Sequence, residues 1–439
     1  MRRNITIIGG GPGGYVAAIR AAQLGASVTL VEKDNLGGTC LNWGCIPTKT
    51  LYQNAQIIHA LSRSAEFGVI HSGFTIDMAK VQRRKERVVS DLRHGIAQLI
   101  KSYGIDYIEG TATLPLPGTE LPGVLNSSDL LAITDIPKSM LVVGGGVIGM
   151  EFASIFSSFG TVVTVVEYMP RILHLMDREI VARLSSALRK AGVTIATDMR
   201  VKGITRSESN TLTVLAEGKN GDESFAAEKV LIATGREINV AGLNLELVGV
   251  KYDRKGIKVD DKFATTTPGI YAIGDVIGGH MLAHVASEEG KACVESILGQ
   301  NGHINYSAVP AVVFTSPEVA AVGLSEAEAT QQGIEILVSK FMLGANSKAV
   351  TMGEELGLVK VVARADNKQV IGVHVLGSHA STVIHEAALA VEHCLTVSDI
   401  GRTIHAHPTI SEAFLEAVLG VEGRAIHAPP RVKRTPSGA

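Results

Sequence analysis

Two stretches of this chain, residues 4–32 and 139–167, repeat one pattern. Each begins with a short apolar run, passes through a glycine-rich turn and an amphipathic segment, and ends in a second apolar run that closes on a glutamate. A strand, a tight turn, a helix and a second strand in this order are typical of a βαβ unit with parallel strands. The repetition constrains the fold more than any other feature, and it predicts an α/β protein with two such units.

The glycines of each unit have separate roles. The first permits the tight turn, the second lets the backbone approach a pyrophosphate, and the third lets the helix pack closely on the strand. An acid follows 23 residues after the first glycine, Glu32 in one unit and Glu167 in the other, and is placed to bind a ribose hydroxyl. One copy of such a turn also fits a loop without a ligand, but two copies favour two dinucleotides in two Rossmann-like domains.

The second unit is expected to bind NAD rather than NADP. Glu167 would repel a 2′-phosphate, and the nearest arginine after it is Arg171. No cluster of arginines follows this acid immediately, so nothing in the segment is suited to neutralise an additional phosphate.

Composition and charge exclude several classes of protein. Lysine and arginine number 41 and aspartate and glutamate 43, a near balance that argues against a nucleic-acid-binding protein. No uncharged apolar run reaches the roughly 18 residues of a membrane span, and Ile5–Ile8 is too short for the apolar core of a signal peptide. We therefore expect a cytoplasmic protein that binds neither nucleic acid nor membrane.

Four cysteines in 439 residues do not make a disulfide scaffold, but Cys40 and Cys45 lie close together. The sequence predicts a helix over 39–50, which would place the two thiols on neighbouring turns of one face. Zinc would need four ligands, and no second Cys or His pair lies nearby. Two buried thiols and a structural disulfide remain open, but a redox-active pair is favoured, and no metal site is expected.

Several segments resemble the flavin-dependent pyridine nucleotide–disulfide oxidoreductases. They are GGTCLNWGCIPTK (37–49), VLIATGR (230–236), GIYAIGDV (269–276), LAHVASEEG (282–290) and HAHPTISEAF (405–414). Within that family, the C-L-N-x-G-C-I-P-[ST]-K form is most similar to the dihydrolipoamide dehydrogenases. The resemblance runs almost from end to end and implies FAD and NAD domains followed by a C-terminal α+β dimerisation domain.

The resemblance also implies which residues bind the two cofactors. FAD is expected on Gly9, Gly11, Gly13, Gly14, Glu32, Lys33, Gly38, Thr39, Lys49, Ala112, Asp275 and Ala283. NAD is expected on Gly144, Gly146, Val147, Ile148, Gly149, Glu167, Val201 and Gly235.

For the two thiols, the resemblance implies a division of roles. Cys40 would meet the substrate, and Cys45 would face the flavin. Lys49 and Glu151 would form the family's ion pair beside the flavin ring. An arbitrary helical lysine or glutamate is usually solvated, and only the motif positions favour a functional role for these two.

His407 resembles the family's catalytic base, with Glu412 to orient its ring, whereas we interpret His405 as an ordinary core or surface histidine. In this family the base acts on the disulfide of the other subunit, which implies a homodimer. The implied reaction oxidises protein-bound dihydrolipoamide and reduces NAD⁺. The implied partner is a lipoyl-bearing acyltransferase or H-protein of a 2-oxo acid dehydrogenase, acetoin or glycine-cleavage complex.

The expected domains are FAD-binding over 1–137, NAD-binding over 138–237, a central segment over 238–307 and an interface domain over 308–439. Relative to the family, a β-meander and the last FAD-domain strand, about 30 residues by ordinary strand and turn lengths, are missing near 114–117. Either the chain lacks this segment, or its residues are the joined parts of a longer chain. We favour the second, because a missing strand would open a sheet edge.

A true deletion would leave FAD binding in doubt while the cysteine and histidine residues remain. The alternative function is then a non-catalytic or flavin-poor homologue that acts as a binding or assembly subunit. The colour of the purified protein distinguishes the two, because only a flavoprotein is yellow.

Overall fold

A computed structural model describes residues 3–109, 121–206, 211–240 and 242–429. The chain divides into two compact units. The first contains residues 1–137 and 229–304, and the second contains residues 138–228 and 305–439. Both units are formed by two separate stretches of sequence.

The strands are numbered in chain order. They are β1 (Asn4–Ile8), β2 (Ser27–Glu32), β3 (Asp106–Glu109), β4 (Val124–Leu125), β5 (Ser139–Val143), β6 (Val162–Val166), β7 (Thr194–Ala196), β8 (Arg200–Arg206), β9 (Leu212–Gly218), β10 (Gly221–Ala227), β11 (Lys229–Ile232), β12 (Tyr252–Asp253), β13 (Gly256–Ile257), β14 (Ala311–Val313), β15 (Val319–Gly323), β16 (Ile336–Met342), β17 (Leu358–Arg364) and β18 (Val370–Leu376).

The α-helices are numbered in the same way. They are α1 (Pro12–Gln23), α2 (Gly38–Trp43), α3 (Cys45–Ser62), α4 (Met78–Ser102), α5 (Ser127–Leu131), α6 (Val147–Ser158), α7 (Arg178–Lys190), α8 (Ala283–Ile297), α9 (Glu326–Gln331), α10 (Ser347–Thr351), α11 (Ala380–Glu392), α12 (Val397–Gly401) and α13 (Ser411–Leu419).

The first unit contains the predicted βαβ unit. Strand β1 pairs in parallel with β2, and β2 pairs in parallel with β3. Helix α1 connects the first two strands and starts at Pro12, which suits the first helical position because its missing N–H would have no partner there. The helix buries a row of alanines that includes Ala17, Ala18 and Ala21, and it packs against α8.

The three-stranded sheet of the first unit leaves apolar side chains in solvent. Ile8, at the end of β1, is 71% exposed, and all four residues of β3 are exposed. Parallel sheets are usually covered on both faces and read as buried apolar runs. Within the described residues, the outer strands of this sheet lack that cover.

The second unit contains the second βαβ unit. Strands β5, β6 and β7 pair in parallel, and most residues of β5 and α6 are buried. Strands β8, β9 and β10 form an antiparallel sheet by the side of this unit. The repeat read from the sequence is therefore a repeat of structure, and the α/β prediction is confirmed.

The remainder of the second unit is an antiparallel sheet covered by helices. Its strand order is β14-β15-β18-β17-β16, and α11 and α13 pack against it. The core between them contains fully buried residues such as Val361, Val373, Ile384 and Phe414. This layered core positions the loop from α12 to α13, which carries the histidine motif.

A lysine is buried within this unit. Lys360, on β17, is 3% exposed and forms ion pairs at 2.8 Å with Asp177 and with Glu326. Asp177 also caps α7 by accepting hydrogen bonds from the Glu179 and Ile180 N–H groups. The lysine thereby ties the start of α7 to the sheet.

Candidate active site

The cysteine pair lies where two helices meet. Helix α2 ends at Trp43 and α3 begins at Cys45, so the continuous helix predicted over 39–50 is wrong. Gly44 leaves the helical region, and a Cβ there would lie 2.9 Å from the Thr39 carbonyl oxygen. Hydrophobic periodicity could not reveal this break, because it depends on a close backbone contact. Cys45 consequently occupies the first position of an 18-residue helix.

In the structure both cysteines are thiols. The hydrogen bond between Cys40 and Cys45, together with burial, raises the pKa of Cys40 above its ordinary value. The positive charge of Lys49 and the Cys45 N–H act in the opposite direction. The reduced pair therefore keeps its proton on Cys40, while the start of α3 provides backbone N–H groups that favour a negative charge near Cys45.

Tyr15 is a neighbour of the pair that the sequence did not reveal. Burial, followed by the charge of Cys40, raises the pKa of the Tyr15 hydroxyl. The residue is the first after Gly14 and lies in the opening turns of α1. Its place directly after the glycine turn is the only sequence signal that could have pointed to it.

Asn42 connects the cysteine helix to the first glycine turn. Its Nδ2 donates to the carbonyl oxygens of Gly38, at 2.9 Å, and Leu36, at 3.1 Å. In the same loop the Gly37 N–H donates to the Gly10 carbonyl at 2.9 Å. The thiols and the first glycine turn are thus held together through the 35–38 loop.

The two glycine turns share one geometry. The first glycine has a positive φ in both, 100° at Gly9 and 108° at Gly144, a conformation that L side chains rarely adopt. A Cβ on the third glycine would lie 1.8 Å from the Gly9 oxygen at Gly14, and 2.0 Å from the Gly144 oxygen at Gly149. Neither position admits a side chain, as a pyrophosphate turn requires.

The second glycine of each turn faces open space. Nothing lies within 4 Å of a Cβ built on Gly146, and the nearest atom to one built on Gly11 is 3.9 Å away. Each glycine caps a helix whose first N–H groups suit an anion. These turns therefore fit the diphosphates of FAD and NAD.

Both predicted ribose acids are buried and hold their own turns. Glu32 accepts hydrogen bonds from the Gly10 N–H at 2.6 Å and the Asp34 N–H at 2.9 Å. Glu167 accepts equivalent bonds from the N–H groups of Gly145 and Met169. Because each carboxylate oxygen has two lone pairs, these bonds leave acceptor capacity for a ribose hydroxyl.

Asp275 and Ala283 lie at the two ends of one loop. The loop begins with a short 3₁₀ turn over Gly274–Ile277, and Ala283 is the first residue of α8. The Gly274 N–H donates to Glu289 at 2.6 Å, and Asp275 is paired with Arg236. These two contacts fix the start of the loop.

The other predicted cofactor residues are spread over both units. Lys33 follows β2, Gly38 and Thr39 begin α2, Gly13 lies in α1, Val147 and Ile148 begin α6, Val201 lies on β8, and Gly235 follows β11. Gly235 belongs to the first unit, whereas the other NAD residues belong to the second. Ala112 lies outside the described residues.

His407 and Glu412 form a pair in the second unit. His407 Nδ1 lies 2.9 Å from Glu412 Oε1, and the Thr409 N–H donates to the other oxygen of Glu412 at 2.8 Å. Burial opposes ionisation of Glu412, but the hydrogen bonds from Thr409 and His407 outweigh it and lower the pKa of Glu412. With Nδ1–H directed at a carboxylate and a side chain that is 71% exposed, His407 presents Nε2 as a proton acceptor.

Lys49 and Glu151 belong to different units. Lys49 lies one turn into α3 and acts on Cys40 through its charge. Glu151 is buried on α6 and accepts a hydrogen bond from the Phe314 N–H at 3.0 Å. The ion pair between them stays a prediction.

Two features are absent from the described part of the chain. None of its helices combines the length and the apolar character that crossing a membrane requires. Among the same residues, no group of three or more His, Cys, Asp or Glu side chains is arranged to hold a metal ion.

The chain is similar to proteins of known activity. It is 40% identical to the mitochondrial dihydrolipoyl dehydrogenase of Pisum sativum, over 97% of this chain and 92% of the relative. It is also 40% identical to the dihydrolipoyl dehydrogenase of Bacillus subtilis (strain 168), over 97% of this chain and 99% of the relative. These alignments extend over 462 and 468 residues, more than the 439 of the chain, so the relatives contain residues that it lacks.

Solved structures agree in fold. LpdA from Mycobacterium tuberculosis has a TM-score of 0.87 at 26% identity, covering 96% of this chain and all of the other. The HOCl-induced flavoprotein disulfide reductase RclA from Escherichia coli has a TM-score of 0.82 at 29% identity, covering 95% and 99%. Residues 3–290 match the model described as pyridine nucleotide-disulphide oxidoreductase, and residues 309–418 match its dimerisation domain. The chain therefore belongs to the pyridine nucleotide–disulphide oxidoreductase family.

Proposed function

We propose that this chain is a dihydrolipoyl dehydrogenase, which oxidises protein-bound dihydrolipoamide to lipoamide and reduces NAD⁺. One observation carries the proposal: two hydrogen-bonded thiols, Cys40 and Cys45, lie at a helix junction that Asn42 ties to a dinucleotide turn. Relatives named dihydrolipoyl dehydrogenase at 40% identity support the same substrate. No finding favours the alternative of a non-catalytic subunit.

FAD and NAD are the cofactors. The first glycine turn, with Glu32, Asp275 and Ala283, would hold FAD, and the second turn, with Glu167, would hold NAD. When bound there, FAD would supply the two-electron chemistry that links the thiols to NAD⁺. The carboxylate of Glu167 disfavours the additional phosphate of NADP.

The thiol chemistry is an exchange of disulfides. One substrate thiolate attacks Cys40 of the oxidised pair, so a mixed disulfide forms and Cys45 leaves as a thiolate. The second substrate thiolate attacks the substrate sulfur of the mixed disulfide, which closes lipoamide and releases Cys40. The substrate is oxidised by two electrons, and the cysteine pair is reduced by two.

His407 is proposed to remove the protons of the substrate thiols. Its Nε2 is exposed, and Glu412 holds Nδ1–H and stabilises the imidazolium that proton transfer creates. The match to the family's dimerisation domain supports a homodimer, in which His407 would act on the cysteine pair of a second copy. Lys49 and Glu151 are proposed as the ion pair beside the flavin.

The partner that delivers the substrate is proposed to be a lipoyl-bearing acyltransferase or H-protein of a 2-oxo acid dehydrogenase, acetoin or glycine-cleavage complex. The cytoplasmic location expected from the sequence remains a prediction. The domain limits at 137, 237 and 307 are proposed as well.

We also propose that a segment near 114–117 that the relatives contain is missing from this sequence because its residues are the joined parts of a longer chain. The exposed β3 and Ile8 support this, because strands of a parallel sheet are normally covered. The alignments that are longer than the chain support it too. Intact-mass measurement of the expressed protein tests whether the shorter sequence is the complete product.

An assay with purified protein tests the proposed function. We expect a yellow protein that reduces NAD⁺ with dihydrolipoamide, much more slowly with NADP⁺, and much more slowly with monothiols. A colourless protein that cannot be reconstituted with FAD would overturn the proposal. So would a yellow protein that fails to reduce NAD⁺ with any of the dithiols tested.

A further inference from the structure

His405 lies two residues before the proposed base but is placed very differently. Its side chain is 5% exposed, compared with 71% for His407. The mechanism above gives His405 no role, and the sequence predicts an ordinary core or surface residue. Polar atoms of a buried ring are normally hydrogen-bonded.

Both ring nitrogens of His405 face acceptors. Nε2 lies 2.9 Å from Oε1 of Glu386, on α11, and Nδ1 lies 3.0 Å from the carbonyl oxygen of Thr403. Carboxylate and carbonyl oxygens cannot donate, and a neutral imidazole carries only one N–H. A ring nitrogen that carries a proton donates to the oxygen it faces, so the ring is held between α11 and its own segment.

These bonds anchor one end of the segment that carries the base. At the other end the Thr409 N–H donates to Glu412 at 2.8 Å. His407 lies between these two anchors, and its Nδ1 reaches Glu412 across the turn. The direction in which His407 points thus depends on both ends of the segment being fixed.

We propose that His405 is a positioning residue, held between Glu386 and the Thr403 carbonyl, that keeps His407 aligned on Glu412. Both of its ring nitrogens lie against oxygens, so neither is directed at a substrate thiol. This inference rests on the proposed function, since it takes His407 as the base for dithiol oxidation.

The hydrogen bonds of His405 can be measured without an activity assay. In the FAD-bound protein labelled with ¹⁵N-histidine, the signal that disappears in His405→Gln identifies the residue. We expect the Nε2 chemical shift of His405 to move in Glu386→Ala, which removes its partner, and to move much less in Glu386→Gln, which keeps a hydrogen bond. A His405 signal that does not respond to Glu386→Ala contradicts the inference.

Two reaction rates distinguish a positioning role of His405 from a general loss of structure. The flavin passes electrons from NADH to ferricyanide without a thiol step, so that activity does not need the base. We expect His405→Gln and Glu386→Ala to slow dihydrolipoamide oxidation about tenfold or more, as small misplacements of catalytic groups do. The NADH–ferricyanide rate should stay within about twofold, because this route needs no aligned base.

Two further variants complete the test. Glu386→Gln keeps a hydrogen bond to the ring and should retain most of the dithiol activity, and His385→Gln, an exposed neighbour on α11, should change neither rate. The inference is wrong if His405→Gln leaves dithiol oxidation intact or lowers both rates equally. A wild-type protein that transfers electrons from NADH to ferricyanide but does not reduce NAD⁺ with dihydrolipoamide refutes the proposed function instead. In that case the nitrogen chemical shifts still report on His405.

Discussion

His407 donates from Nδ1 to Glu412 across 2.9 Å, and the same carboxylate is fixed by the N–H of Thr409. This arrangement resembles the oriented histidine of many acid–base catalysts, with one nitrogen held and the other exposed. We therefore expect dithiol oxidation to depend on His407 and Glu412, and electron transfer from NADH to be independent of them.

Replacing His407 with Gln should lower dihydrolipoamide oxidation by about 100-fold or more, the usual contribution of a positioned base. The NADH–ferricyanide rate should remain near that of the unmodified protein. Glu412→Gln should have a smaller effect in the same direction, because the ring keeps one hydrogen bond but loses the charge that stabilises it. Steady-state rates with both electron acceptors check this, and equal losses in the two assays would exclude His407 as the base.

Replacing Cys45 with Ser should abolish dihydrolipoamide oxidation while FAD remains bound. Serine cannot form the disulfide with Cys40, so no electron pair can enter through the thiols. The matched control is Cys394→Ser, since Cys394 is exposed and lies outside the pair. Residual activity above about one per cent in Cys45→Ser would show that the thiol pair is not the entry point.

The two glycine turns allow a matched comparison. In Gly14→Ala the new Cβ would meet the Gly9 oxygen, so we expect FAD affinity to fall at least about tenfold, or about 1.4 kcal/mol. In Gly149→Ala the same overlap occurs at Gly144, and we expect a raised KM for NAD⁺ with normal FAD content. Flavin absorbance per polypeptide and NAD⁺ titrations distinguish the two. Loss of FAD from Gly149→Ala would mean that the turns are assigned to the wrong cofactors.

Lys360→Met should destabilise the protein by about 3–5 kcal/mol, because it leaves the buried Asp177 carboxylate without its partner. The control is Lys340→Met. Lys340 lies on β16, directly opposite Lys360 on β17, and its side chain is 44% exposed. This replacement should lower the free energy of unfolding by less than about 1 kcal/mol. Chemical denaturation of both variants measures the difference. Similar values for the two would show that burial of Lys360 does not matter.

The same pair predicts a dependence on pH. Burial alone would raise the pKa of Asp177, but the hydrogen bond from Lys360, the charges of His374 and Lys360 and the Ile180 N–H together outweigh it and lower the pKa. A carboxyl whose folded pKa lies below the unfolded value of about 3.9 stabilises the fold above that pH and loses this effect as pH falls through the folded value. In Lys360→Met burial acts on Asp177 without that lysine, so the difference in free energy of unfolding between wild type and the variant should be largest near neutrality and shrink toward acid pH as Asp177 is protonated. A difference that persists in acid would exclude the ion pair as its source.

Local chemistry made the glycine turns predictable. A positive φ at Gly9 and Gly144, and a third glycine pressed on the first carbonyl, are backbone requirements that show directly as residue types at fixed spacing. The two parallel strands and the helix between them follow from the apolar runs on either side. The α/β fold and the family could therefore be inferred from the chain itself.

The cysteine junction could not be predicted in the same way. Thr39–Thr50 reads as one helix, and only the approach of Gly44 to the Thr39 carbonyl shows why it divides there. Tyr15 likewise has no signal beyond its place after a glycine, because its proximity to Cys40 depends on how α1 and α2 are packed.

Lys360 is the clearest example of a residue whose environment the sequence could not predict. In sequence it is one lysine in an apolar strand, which suggests a side chain directed at solvent, yet the fold buries it against an aspartate 183 residues away. The sequence by itself determined the two dinucleotide turns, the thiol pair and the histidine motif, because each is a short-range pattern of residue types. Only the tertiary structure decided which charges are buried, which ring nitrogens are free and where helices break, because those depend on atoms that folding brings together from distant parts of the chain.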